Sequence, residues 1–79
     1  MSYKPFVEHL IKSVVENPDA IEVQEEFDRG TRTFYVNVAE GDVGKVIGKS
    51  GRVVSAIRCV VSAVAAKARE KAYIKVVTE

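Results

Sequence analysis

Along the first sixteen residues the apolar positions fall at Phe6, Val7, Leu10, Ile11 and Val14, with Glu8, Lys12 and Glu16 off that line. A spacing of three and four lines one helical face, which predicts a helix over residues 3–16. Ser2 stands where an N-cap would, and Asn17-Pro18 is a stop signal. The period then drops to two. Ile21, Val23 and Phe27 alternate with Glu22, Gln24 and Glu26, as in a half-buried strand, while Glu25 breaks the apolar face and marks a bulge or the strand's edge. Asp28-Arg29-Gly30-Thr31 has hairpin-turn chemistry. Phe34, Val36 and Val38 then alternate with Thr33, Tyr35 and Asn37, predicting a second strand antiparallel to the first.

Gly41 and Gly44 weaken helix propensity between Glu40 and Ile47, but Asp42 can cap a turn or two there. Beyond Gly51 the longest regular element is predicted over residues 52–70, with Val53, Ile57, Val60, Val61, Val64 and Ala68 as its core stripe. A second face of that helix is built of Ser55, Cys59, Ser62 and Ala66. Lys67, Arg69 and Lys71 crowd its end, where positive charge suits the dipole. Residues 73–77 read as a last strand with Ile74 and Val76 facing in. A crossover through two helices makes it parallel to the strand before it. The fold class is therefore α+β, in the order α-β-β-α-α-β, with a three-stranded mixed sheet as one layer and three helices as the other.

Composition narrows the function. Seventy-nine residues make a single domain over 1–79, and 47% hydrophobic content suits a packed core. One cysteine, Cys59, allows neither an internal disulfide nor a Cys-based zinc site, and a reducing, cytoplasmic setting is the natural expectation. No stretch is apolar for long enough to enter a membrane. The net charge of +1 hides a division. Residues 1–40 carry four basic and eight acidic side chains, or −4; residues 41–79 carry eight and three, or +5.

The basic half holds the sequence Val46-Ile47-Gly48-Lys49-Ser50-Gly51-Arg52. Two glycines let a backbone pass close to a ligand, and a helix starting there favours an anion. Lys49 and Arg52 add full charges. The spacing excludes a Walker loop, since only three residues separate Gly44 from Gly48, and a dinucleotide fingerprint lacks its third glycine. There is no Ser/His/acid set, carboxylate pair or cluster of metal ligands, so neither an enzyme nor a cofactor is expected. His9 has no second ligand beside it, and Cys59 falls mid-helix, away from any site that would activate it. Binding remains.

The same residues resemble the signature of KH domains, in which a Gly-x-x-Gly loop between two helices clamps single-stranded nucleic acid. The apolar pair before the loop, the lysine within it and Val54 after it make the match specific, although Val54 stands where isoleucine is common. The helix-first, strand-last order resembles the type II arrangement, and the whole chain is similar to the small stand-alone bacterial KH proteins of the KhpA family. That resemblance implies an RNA-binding protein, an RNA chaperone or post-transcriptional regulator tied to cell shape and envelope growth. It further implies a homodimer, or a heterodimer with a second KH-containing RNA-binding protein.

Mapped onto this chain, Gly48 and Gly51 would pass the backbone of about four nucleotides. Lys49, Ser50 and the N–H groups opening the long helix would hold phosphates, with Arg52 reinforcing them. Val46, Ile47, Val54 and Ser55 would floor the groove for bases, and Lys45 and Arg58 would add peripheral charge. Two other surfaces compete. The open sheet face offers Tyr35, Tyr73 and Lys75 as a stacking platform, with Glu22, Gln24 and Glu26 beside them to repel a polyanion. The small-residue face of the long helix, together with extra apolar width on the first helix at Ile11 and Val15, would suit an interaction module.

Overall fold

The structure, a computed structural model, describes residues 3–77. Its elements are α1 (Lys4–Lys12), β1 (Glu22–Asp28), β2 (Thr31–Asn37), α2 (Val43–Ile47), α3 (Arg52–Lys67) and β3 (Lys71–Val76). The α-β-β-α-α-β order and three-stranded mixed sheet are those of the type II KH fold. Strand order is β1-β2-β3, with β1 antiparallel and β3 parallel to the central β2. Helices cover one face, and Val7, Ile11, Phe34, Val36, Val46 and Ala65 are completely buried between the layers.

α1 is shorter than its apolar pattern predicts. The Ser13 hydroxyl donates to the His9 carbonyl at 2.8 Å, and the Ser13 N–H is shared between the His9 and Leu10 carbonyls. Such side-chain competition ends the regular ladder at Lys12, so Val14 and Val15 pack from a turn. The predicted cap Ser2 lies outside the described residues. Tyr3 precedes the helix instead, its ring 5.5 Å from that of Phe34.

The hairpin forms as expected. Arg29 and Gly30 both have positive φ, 51° and 78°, the combination whose twist matches antiparallel strands. β1 pairs with β2 without interruption from Glu22–Asn37 to Asp28–Thr31, so Glu25 marks no bulge. It shares the helix-facing side with Val23 and Phe27, on an edge strand, and Arg32 of β2 meets its charge. The Arg32 guanidinium also grips Glu70 with two hydrogen bonds, of 2.9 and 3.1 Å, and lies 4.5 Å from the Phe27 ring centroid. Arg32 holds the Glu70 carboxyl below its ordinary pKa. Burial and the bond it donates to Glu70 raise that of the Tyr3 hydroxyl. The charge that broke the apolar pattern is thus half of a pairing that closes the end of the core.

α3 also departs from expectation. It buries Val54, Ile57, Val61 and Ala65, leaving Val60 44% exposed and Ala68 past its end. Valine and alanine cover most of its circumference, so periodicity leaves its rotation loosely set. The buried stripe is turned from the predicted one by roughly half a residue's step, which brings Val54 and Ala65 into the core. The helix stops at Lys67 because Arg69 is left-handed, at φ 60°. The Arg69 N–H bonds the Ala66 carbonyl and the Glu70 N–H bonds that of Ala65, which is a Schellman ending.

Asp42 has a different role from the predicted cap. It makes no side-chain bond to α2. Its carboxylate is buried and accepts from the Glu16 N–H at 3.2 Å, the Asn17 N–H at 2.9 Å and the Asn17 side-chain amide at 3.1 Å. The acid therefore pins the loop between α1 and β1 to the start of α2. Burial pushes its pKa up, but these hydrogen bonds outweigh burial and leave it below the ordinary carboxylate value. A lowered folded-state pKa contributes stability that is complete at neutral pH and is lost as pH falls through the ordinary carboxylate range and below, from about 4 downward. Asp42→Asn is expected to lower Tm at pH 7 and to flatten the acid limb of a plot of Tm against pH. An acid limb parallel to that of wild type would show that Asp42 carries none of this dependence.

Candidate nucleic-acid interface

The two glycines sit where α2 gives way to α3, and each has its own reason to be glycine. Gly48 has φ 77° and ψ 173°, a region that essentially only glycine occupies. A Cβ there would overlap the Val53 side chain and lie 2.8 Å from the Val53 nitrogen. Gly51 is left-handed, at φ 73° and ψ 15°, with open space where its Cβ would be. Ser50 between them is left-handed too, at φ 57° and ψ 28°. Three positive φ values in four residues turn the chain sharply between the helices and leave Lys49 and Ser50 exposed at the crest.

Val46 is completely buried beneath this crest, and Val54 is only 6% exposed. A base cannot touch Val46 while the core is closed, so Val46 supports the loop rather than floors a groove. Ile47 is partly exposed, and Ser55 and Arg52 are exposed. The Gly51 N–H bonds the Gly48 carbonyl at 3.2 Å, and the Arg52 N–H bonds the carbonyl of Lys49. Those two donors are spent within the loop. What the loop offers an anion is therefore the Lys49, Ser50 and Arg52 side chains and the positive end of α3. Lys45 is exposed and lies 3.7 Å from Glu16.

Arg58 has a more definite position than its sequence context implies. Its Nε and Nη2 donate to the Ile74 carbonyl at 3.2 and 3.1 Å. The Lys71 and Val77 N–H groups bond carbonyls of Gly30 and Val36, on the β2 side. In a parallel ladder alternate residues face the same neighbour, so the backbone groups of Ala72, Ile74 and Val76 face away from β2, toward the free edge. Arg58 thus bridges α3 to the free edge of β3. Ser55, Cys59, Ser62 and Ala66 lie exposed on the same side of α3 as Arg58. The small-residue face of α3 and the free edge of β3 flank Arg58, with Ser55 toward the glycine loop and Ser62 and Ala66 toward the far end of the helix. Sequence reasoning missed the strand edge, because three strands with a crossover do not by themselves say which edge stays open.

The chain matches the family model for the KhpA/KhpB KH domain over residues 4–76. This chain belongs to the KhpA/KhpB KH-domain family. It is 33% identical over 76 residues to the RNA-binding protein KhpA of Chlamydia trachomatis, covering 96% of this chain and 97% of that protein. Against KhpA of Caldanaerobacter subterraneus it is 39% identical, covering 90% and 95% of the two chains. Against KhpA of Streptomyces coelicolor it is 45% identical, covering 73% of each. No solved structure matches it.

Within this KH domain the open sheet face is a poorer anion surface than the loop. Tyr35 donates to Glu26 at 3.3 Å, the Glu26 charge raises its pKa, and the Lys75 ammonium lies 5.9 Å from its ring centroid. Glu22, Gln24, Glu26 and Asp28 line the β1 side of that face. Tyr73 is 52% exposed on β3. The aromatic positions are present, but the central ring is already engaged by a carboxylate and an ammonium.

Proposed function

We propose that this protein binds single-stranded RNA, gripping the backbone of about four nucleotides over the glycine loop and laying the bases into the groove between α3 and β3. The observation that carries this reading is the exposed Lys49-Ser50 crest, held by three residues of positive φ at the start of the helix that Arg58 ties to the free edge of β3. Relatives of similar length bear the name RNA-binding protein. Lys49, Ser50 and Arg52 hold phosphates, Ile47 and Ser55 meet bases, Val54 backs them, and Arg58 ties α3 to the Ile74 carbonyl beneath the RNA strand. The protein acts as a binder, an RNA chaperone or post-transcriptional regulator in the cytoplasm, and not as an enzyme. Among the described residues no helix is long and apolar enough to cross a membrane.

Affinity from so few contacts is modest, so a second binding unit would gain avidity. The exposed Val60, on the flank of α3 away from the groove, favours pairing with a second copy or with another KH-containing RNA-binding protein. An interaction module with RNA binding secondary is the competing reading. Titrating labelled single-stranded RNA at several salt concentrations tests the primary one. The logarithm of the affinity should fall with that of salt at a slope of about −2, the value for three phosphates neutralised on a single strand. Absence of binding, or a flat salt dependence, would contradict the loop grip.

A further inference from the structure

The groove does not end at Arg58. Beyond it, toward the far end of α3, lies a shallow depression of about 290 Å³ bounded by Ser62 and Ala66 on the helix and by Glu70, Lys71, Ala72 and Tyr73 at the start of β3. We propose that this depression is a second subsite for the same RNA strand, taking a nucleotide beyond those held near the loop. The proposal rests on the loop reading, since it extends that groove.

Three features of the depression fit a nucleotide. First, Ala72 has the same parity as Ile74, so its backbone N–H and carbonyl face the open edge as a donor and acceptor pair, and a base edge presents such a pair. Second, Lys71, which lines it, is exposed and has no carboxylate partner among the described residues. Third, the lining carboxylate of Glu70 is already committed. Its two oxygens accept from Arg32, and one also accepts from Tyr3. The uncommitted charge in the lining is therefore that of Lys71, at a place where small side chains leave the space open. Arg58 crosses from helix to strand between this end and the loop end, so an RNA strand that occupies both passes over its guanidinium.

Ala66 follows Gly51 by fifteen residues, about 22 Å along the helix axis. That exceeds the screening length of about 8 Å at physiological salt, so a charge placed there does not act on a phosphate at the loop. Random-sequence RNA tetramers and octamers, titrated against wild type and Ala66→Glu, separate the two subsites. The variant should bind the octamer about tenfold more weakly, the effect of losing one charge-assisted contact, and the tetramer as well as wild type does. Ser62→Glu should behave in the same way.

Equal affinities of wild type and both variants for the octamer would overturn the subsite while leaving the loop reading intact. Equal weakening of both lengths in a folded variant would also overturn it. If wild type bound neither length, the loop reading would fail and the subsite with it. Light scattering supplies the remaining test. A mass that drops in Ala66→Glu would assign the depression to a contact between copies and overturn the nucleotide reading.

Discussion

Replacing Lys49 and Ser50 together by aspartate is expected to abolish binding of single-stranded RNA while leaving the circular-dichroism spectrum and Tm essentially unchanged. Both side chains are exposed and neither supports the core. Ser50 is left-handed at φ 57°, a conformation aspartate tolerates better than most residues, so the loop can keep its shape. The charge at the crest changes by three, with one ammonium removed and two carboxylates added. Two charge-assisted contacts to phosphate are lost, worth about 1.5–3 kcal/mol each, so affinity should fall at least about a hundredfold. Electrophoretic mobility shift and fluorescence anisotropy read the loss, and circular dichroism reads the fold. Undiminished binding in a folded variant would remove the loop from the interface and leave the open sheet face, with Tyr35, Tyr73 and Lys75, as the surface to mutate next.

That experiment targets a feature legible from sequence, and the reason is local. Gly48, Lys49, Ser50 and Gly51 sit in one continuous stretch, and their conformation depends mainly on their own φ and ψ preferences. The hairpin at Arg29-Gly30 and the parallel pairing of β3 were readable on similar grounds, through turn chemistry and connection length. Features that depend on distant partners were harder to read. Glu25 looked like a flaw in its strand because its counter-charge, Arg32, is shared with Glu70, almost forty positions along the chain. Asp42 had the right position for a helix cap. Its partners were the Glu16 and Asn17 backbones on the far side of two strands, which no local pattern contains.

The candidate site divides along the same line. Lys49, Ser50 and Arg52 were identifiable as charge and hydroxyl at a turn. Val46 was placed in the groove because it adjoins the glycines, but helical rotation carries it into the core. Arg58 was named only for its charge, and its role as a bridge to Ile74 required knowing which edge of the sheet is free. The small-residue face of α3 was legible as a surface suited to contact with another helix. The structure puts it beside a strand edge, and that location makes it one side of the proposed groove.

Gly48→Ala is the substitution expected to cost the fold most, and comparison with Gly51→Asn shows why. At Gly48 any L side chain enters a backbone region that costs about 1–3 kcal/mol, and overlap of the new Cβ with Val53 adds the about 1–3 kcal/mol of an overpacked site. A combined loss of about 4 kcal/mol is a large part of the stability of a domain this size, at roughly 0.05–0.15 kcal/mol per residue. Gly51 is merely left-handed with open space around it, so asparagine there should cost no more than about 1–2 kcal/mol. Urea denaturation of the two variants measures the difference, and equal midpoints would mean that the loop is not held against Val53 as described. Because α3 begins beneath this loop, Gly48→Ala would weaken RNA binding by disturbing the support for the crest. Gly51→Asn should keep the crest and much of the affinity. Loss of binding in Gly48→Ala therefore reports on the scaffold, and only the aspartate pair, which leaves the scaffold in place, reports on the grip itself.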